Sequence, residues 1–188
     1  MSLVLLLYII GLILIAGATY FFFGSFLYGA GYQPTPRKVA LKMIEMGEIV
    51  PADLVMDLGA GTGGLLLMAA EMKGATVTGI EVEPLRIVVL RLRRLMSPAR
   101  KRISIKRSDF FKEDLGSTTV ILAFLWPSAM ERLKPKLERE LRPGCRLVSY
   151  WHPVPGWTPD RVDRGLRIYF YRWSPPGNTP VPPSPSAK

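Results

Sequence analysis

Cysteine, histidine, asparagine and glutamine each occur once, as Cys145, His152, Asn178 and Gln33. A single cysteine excludes a disulfide framework and any cysteine-based zinc site, and no metal-ligand pattern is expected elsewhere. Cys145 reads as a core residue, because the one histidine is poorly matched to form a catalytic pair with it. No Gly-Lys-Ser or Gly-Lys-Thr follows the glycine-rich stretch, which excludes a P-loop. No Tyr-x-x-x-Lys pair is present, and no second domain is available for a hydride-transfer substrate. Charge is missing altogether from residues 2–36.

That uncharged stretch raises the mean hydropathy to +0.19. Residues 3–23 are almost unbroken apolar sequence, and at about 1.5 Å per helical residue they reach about 30 Å, the thickness of a bilayer core. The competing reading is a cleaved signal peptide, with a small-residue site at 16–18. Against it, no basic segment precedes the run, and Tyr20, Phe21, Phe22 and Phe23 continue it past that site. The sequence therefore predicts a transmembrane anchor over 1–24. Arg37, Lys38 and Lys42 follow the span, which places the remainder in the cytoplasm of a single-pass cell-membrane protein.

The charged residues that follow the anchor are 25 basic and 15 acidic, a net charge of +10. Nucleic acid is one explanation of the excess. For a domain tethered beside a membrane, anionic headgroups are the simpler partner, each nearby basic group contributing about 1 kcal/mol. The densest basic stretch, 86–107, contains Arg91, Arg93, Arg94, Arg100, Lys101, Arg102 and Lys106. It reads either as a headgroup site or as a solvated helix face with a basic loop.

Past the anchor, a Gly- and Pro-rich connector (25–35) leads to a domain over 36–173. A proline-rich tail, 174–188, is expected to be extended or disordered. Thr35 is read as the N-cap of a first helix with Pro36 in its first turn. Strands are expected at 53–57, 75–81, 102–109, 118–126, 146–151 and 166–173, and helices at 64–72, from Pro84, and at 128–141. The alternation predicts an α/β fold, a Rossmann-like open parallel sheet with helices on both faces. Ligands on such sheets bind beyond the carboxyl ends of the strands.

At the first of those ends stands "VMDLGAGTGG", in which Gly59, Ala60, Gly61 and Gly63 form a loop able to approach a ligand closely. The glycines alone fit dinucleotides and S-adenosylmethionine (SAM) equally. Asp57 breaks the tie, since a carboxylate opposes a pyrophosphate but favours the ammonium and sulfonium of SAM. Glu81 ends the second strand, where it can accept from ribose hydroxyls. Asp109 ends the third, placed to accept from the adenine amino group while Phe110 packs on the ring. Its alternative reading is a helix-capping aspartate beside two core phenylalanines. SAM is the expected cofactor.

"DLGAGTG" with "GIEVEP" resembles the class I, seven-strand methyltransferases. "YQPTP", "FLWPSAMERLKPKLERELRPG" and "VSYWHPVPGW" are similar to archaeal protein lysine methyltransferases and their membrane-anchored mitochondrial relatives, over approximately 31–173. The resemblance puts the cofactor loop on Asp57, Gly59, Gly61 and Gly63, the ribose acid on Glu81 and the adenine-side acid on Asp109. It also makes Tyr32, Pro34, Thr35 and Pro36 a lid over the methionine end of SAM. Tyr32 is the candidate polar group beside the transferred methyl. Relatives often carry Ser-His before the proline-rich loop; here Tyr150 and Trp151 intervene between Ser149 and His152.

The Asn-Pro-Pro-Tyr run that serves planar amines is replaced by "AFLWP", which turns the reading away from adenine or glutamine acceptors. An aromatic mouth of Tyr32, Phe124, Trp126, Tyr150 and Trp157 suits a lysine side chain. The expected activity is methyl transfer from SAM to lysines of membrane or membrane-associated proteins. A lipid or small-molecule N-methyltransferase and a non-catalytic scaffold of the same fold are the alternatives.

Overall fold

The computed structural model describes residues 2–23 and 33–175. Tyr32, most of the expected connector and nearly all of the proline-rich tail lie outside the described residues. Helix α1 (Leu3–Phe23) is apolar on every side, and its large side chains from Leu3 to Ile15 are exposed. Its stretch Leu3–Phe21 is long and apolar enough to cross a membrane by length and composition.

From residue 33 the chain builds one sheet with helices on both faces. The elements run α2 (Arg37–Met46), β1 (Leu54–Leu58), α3 (Gly64–Lys73), β2 (Thr76–Glu81), α4 (Pro84–Met96), β3 (Ile103–Arg107), β4 (Val120–Ala123), α5 (Pro127–Glu140), β5 (Arg146–Tyr150), β6 (Arg161–Asp163) and β7 (Ile168–Arg172). Strand order is β3-β2-β1-β4-β5-β7-β6. Strands β1 to β5 are parallel, whereas β7 pairs antiparallel with both β5 and β6. The sheet is therefore mixed, which corrects the expected parallel sheet, and β6 is a strand that the sequence reading lacked. The physical reason lies in the return from β5. Residues 151–160 hold Pro153, Pro155, Gly156 and Pro159 and form no helix; they lead without a helical crossover to β6 at the sheet edge, and the tight turn at 164–167 then folds β7 back as a hairpin into the place between β6 and β5. Between β3 and β4 only a 3-10 turn, Phe110–Lys112, replaces a crossover helix.

The period-2 alternation of the buried strands sorts their side chains onto two cores. Val55, Val120, Leu122 and Val148 pack with α2 and α3 on one face, and Met56, Ile121, Ala123 and Leu147 pack with α5 on the other. At the amino ends of the strands buried Asp53 accepts from the Val50 N–H at 2.8 Å, the Thr119 hydroxyl at 2.7 Å and the Arg146 guanidinium. That network ties β1, β4 and β5 at the edge opposite the glycine loop. Cys145 is buried in the second core, and burial pushes its thiol up to about 12, as suits an inert packing residue.

One helix terminus differs from the sequence reading. Pro36, not Thr35, is the N-cap of α2, without a side-chain cap bond, so the Thr35 hydroxyl does not serve the helix. Glu83 caps α4 as its position implies, accepting from the Leu85 N–H at 3.0 Å and the Arg86 N–H at 2.7 Å.

Candidate active site

Strand order reverses direction at β1, whose neighbours are β2 and β4. The crevice beyond the carboxyl ends of such a switch point is where an open α/β sheet receives a ligand. A cavity of about 590 Å³ occupies it, lined by Gln33–Thr35, Asp57, the glycine loop, Ile80–Val82, Ser108–Phe111, Phe124–Trp126 and residues of α4 and α5. Thr35, Asp57, Gly59, Ala60, Gly61, Glu81, Asp109 and Phe110 are all in that lining.

The loop is held against β2 by two bonds to one acceptor. The N–H groups of Gly59 and Ala60 both donate to the Ile80 carbonyl, at 3.0 and 2.8 Å. Gly59 and Gly61 have φ of 78° and 55°, the left-handed region that glycine enters without a Cβ penalty. Gly63, also left-handed, faces elsewhere: a Cβ there would stand 2.1 Å from Leu90 Cδ1, and the residue is absent from the cavity lining. The structure thus places Gly63 at the start of α3, where it admits α4 closely, and not against the cofactor space.

Glu81 is buried and already engaged. Its Oε2 accepts from Gly61 N–H at 2.8 Å, and its Oε1 from the N–H groups of Val82 and Glu83, each at 2.9 Å. Three backbone donors fix the carboxylate and leave acceptor capacity for a hydroxyl in the cavity. Asp57 is buried beside it. Burial first, and repulsion from Glu81 second, raise its carboxyl to about 7, opposed by a backbone hydrogen bond at Leu66. Asp109 caps the 3-10 turn, its Oδ1 accepting from Phe111 N–H at 3.0 Å, and the residue also lines the cavity with Phe110.

Two buried carboxylates on one cavity repel each other, and a cationic ligand removes that penalty. A pyrophosphate would increase it. The residues lining the cavity, Asp57, Glu81, Asp109 and Phe110 among them, therefore fit SAM. Sequence reasoning missed Arg86, Arg93 and Arg132, which also line the cavity. They bring guanidiniums to a site whose ligand carries a carboxylate. Arg93 Nη1 donates to the Thr62 carbonyl at 2.7 Å and so fixes the glycine loop, and Arg132 lies 4.2 Å over the Phe111 ring. The spacing of Arg86 and Arg93, seven residues apart on one helix, was the available signal, because it puts both on one face.

A smaller cavity of about 240 Å³ adjoins the first through shared walls, Gln33, Phe124, Leu125 and Trp126, and adds Trp151 and His152. Trp126 and Trp151 are 49% and 42% exposed, so both indoles stand at its mouth. Trp151 has φ of 70°, an outlier for a bulky side chain, and donates its N–H to the Arg167 carbonyl at 2.7 Å. The Arg167 guanidinium lies 4.7 Å over its ring. Tyr150 sits behind, buried, with its ring 4.4 Å from Phe124 and edge-on to Trp151 at 5.8 Å. Burial, with a smaller contribution from Arg167, lowers the His152 pKa and keeps the imidazole neutral at pH 7.

Of the expected aromatic mouth, Phe124 and Trp126 line both cavities, and Tyr150 supports them from behind. Trp157 is elsewhere: it stacks on Trp173 at 4.6 Å and donates to Glu138 at 3.0 Å, on the α5 side of the sheet. The turn Val154–Trp157, closed by the Trp157 N–H donating to the Val154 carbonyl at 3.2 Å, carries it past the strand ends. Trp151 and His152 take the place that Trp157 was expected to fill.

Residues 57–161 match the family described as ANTKMT methyltransferase domain. The protein-lysine N-methyltransferase of Saccharolobus islandicus (strain REY15A) is 36% identical over 139 residues, 73% of this chain and 86% of that protein. The chain belongs to the ANTKMT methyltransferase domain family. It is a SAM-dependent methyltransferase of the protein-lysine methyltransferase group. The adenine nucleotide translocase lysine N-methyltransferase of Mus musculus is 32% identical over 108 residues, 57% of this chain and 47% of the mouse protein. The chain thus spans most of the archaeal relative and about half of the mouse one. Among solved structures, an RNA methyltransferase from Salinibacter ruber in complex with S-adenosyl-L-homocysteine superposes with a TM-score of 0.72 at 31% identity, over 81% of this chain and 98% of that one.

Proposed function

We propose that this methyltransferase modifies lysine side chains of membrane or membrane-associated proteins, working from a single-pass anchor formed by α1 with the domain on the cytoplasmic side. The observation that carries the acceptor class is the indole-edged cleft that shares a wall with the acid-lined cavity. Indole faces attract a cationic amine and pack against an aliphatic stem, and lysine offers both. Among the described residues of its lining, Gln33 at the edge is the one side-chain amide, short of the set that fixes a planar nucleobase amine.

SAM, when bound, supplies an electrophilic methyl on a sulfonium. The chain's own residues then have to hold an amine in line with it and keep water away. Phe124, Leu125 and Trp126, the common wall, exclude water where the two cavities meet. Desolvation there lowers the amine's pKa and favours the neutral, nucleophilic form. His152, neutral at pH 7, stands at the cleft as an acceptor for the proton that the amine releases. Tyr32 remains the proposed polar group of the lid.

The test is incubation of the full chain with native membranes and SAM carrying a deuterated methyl. Heavy methyl on protein lysines, lost with Asp57→Ala, is expected. Label that extracts into organic solvent or stays with RNA, with lysines unlabelled, overturns the lysine reading.

A further inference from the structure

Helix α4 is divided lengthwise. Arg86, Ile87 and Leu90 are buried, with Arg86 and Arg93 lining the cofactor cavity. On the opposite side Leu85, Val88, Leu92, Leu95 and Met96 are 38% to 78% exposed. At 100° per residue these five fall within one 100° sector, a continuous apolar stripe over the whole helix. Soluble domains rarely leave such a stripe uncovered.

Two observations indicate what covers it. Arg91 borders the stripe, and Arg100 and Lys101 follow the helix end, all exposed. An apolar face edged by arginines matches a surface with acyl chains below and anionic headgroups above. The second is position: Arg86 Nη2 donates to the Phe21 carbonyl of α1 at 3.0 Å, and its guanidinium lies 5.8 Å over the Phe21 ring. The last turn of the apolar helix thus meets the first turn of the striped one.

We infer that the Leu85–Met96 stripe of α4 lies in the plane of an anionic bilayer surface, so that the cofactor cavity walled by the same helix is held at the headgroup level. The inference deepens the membrane-anchored reading above and rests on it for the position of α1. A bilayer surface is a single occupant for all five side chains and for the basic border. A second copy of this chain would bring its own arginines against these.

The full chain, in a Cys145→Ala background, is labelled with an environment-sensitive fluorophore at Leu92→Cys, at Leu12→Cys in α1, or at Glu131→Cys on the exposed side of α5. Each is reconstituted into vesicles of phosphatidylcholine with or without phosphatidylglycerol, and quenching by nitroxide lipids is read. Expected are a blue shift and quenching by headgroup-level nitroxides at position 92, weakened when phosphatidylglycerol is omitted, and neither effect at 131. Position 92 quenched no more than 131 overturns the inference, whether an aqueous stripe or a protein partner is the cause. Position 12 reports the anchor separately: quenching by deep nitroxides at 12 with none at 92 removes the inference and keeps the anchor. Absence at 12 with quenching at 92 removes the anchor and keeps the surface contact.

Discussion

Replacing Asp57 by Asn separates the cost of the buried acid from its use. In the ligand-free protein its pKa, about 7, lies above the ordinary 3.8, so the native state holds a proton that the unfolded chain has released. Its contribution to stability is complete below about pH 4 and is lost as pH rises through 7. The gap between 3.8 and about 7, at about 1.36 kcal/mol per pH unit, makes the ionised carboxylate cost ~4 kcal/mol at pH 8. Asn removes the charge and its repulsion with Glu81 but still buries a polar amide, so about half, ~2 kcal/mol, is recovered. For a chain of this size that is a rise in Tm of about 4–8 °C at pH 8 without ligand, shrinking toward zero at pH 5. SAM affinity moves the other way. Loss of a charged hydrogen-bond partner for its ammonium costs about 1.5–3 kcal/mol, a rise in Kd of roughly 10- to 100-fold. In the parent protein, affinity should fall as pH drops below 7 and Asp57 takes up its proton. Thermal unfolding at both pH values, with calorimetric titration of SAM, reads each arm. A variant that is no more stable at pH 8 and binds SAM as the parent does refutes this account of Asp57.

Trp151→Ala should raise the acceptor KM while leaving the Kd for SAM within about twofold, because the indole borders only the smaller cavity; an equal loss in both would place Trp151 at the cofactor instead. Gly63→Ala combines a positive φ with a Cβ 2.1 Å from Leu90, so α4 must shift and stability should drop by about 1–3 kcal/mol or more, seen as a lower denaturant midpoint. Asp53→Ala takes the carboxylate partner from the Arg146 guanidinium, which keeps the Gly47 and Glu48 carbonyls, and leaves its charge uncompensated at the amino ends of the strands; it should cost about 3–5 kcal/mol by the same measurement, with SAM affinity of the remaining folded fraction unchanged.

The cofactor half of the site was legible because it depends on local chain geometry. A glycine loop after a buried strand, followed by acids at the next strand ends, has one arrangement in a parallel sheet, and Asp57, Glu81 and Asp109 meet as that arrangement requires. Gly63 shows the limit of a motif, since spacing cannot tell a glycine that faces a ligand from one that admits a neighbouring helix. The acceptor side was less legible because it is built by a loop. Trp157 lies seven residues past the end of β5, and the turn Val154–Trp157 carries it to the other face. Trp151 enters the cleft only because its backbone takes a positive φ, which no propensity favours for tryptophan. The antiparallel edge was hidden for a related reason: β6 is three residues long and pairs only once β7 is in place.

Helix α4 shows how one sequence stretch serves three demands. Its basic residues read alike in the chain, but the helical period divides them: Arg86 and Arg93 turn inward to the cavity and the glycine loop, while Arg91 remains outside at the border of the apolar stripe. This inward pair is fixed by contacts that any movement of α4 would alter, Arg93 to the Thr62 carbonyl and Arg86 to the Phe21 carbonyl. A force on the outer face is therefore carried to the loop that shapes the cofactor cavity. If the stripe rests on a bilayer, SAM should bind more tightly to the vesicle-reconstituted chain than to the chain in neutral detergent, and Arg93→Ala should abolish that difference by uncoupling α4 from the loop. Equal affinities in the two environments, with position 92 nonetheless quenched by lipid nitroxides, would leave the surface contact in place and show that α4 does not transmit it to the cofactor.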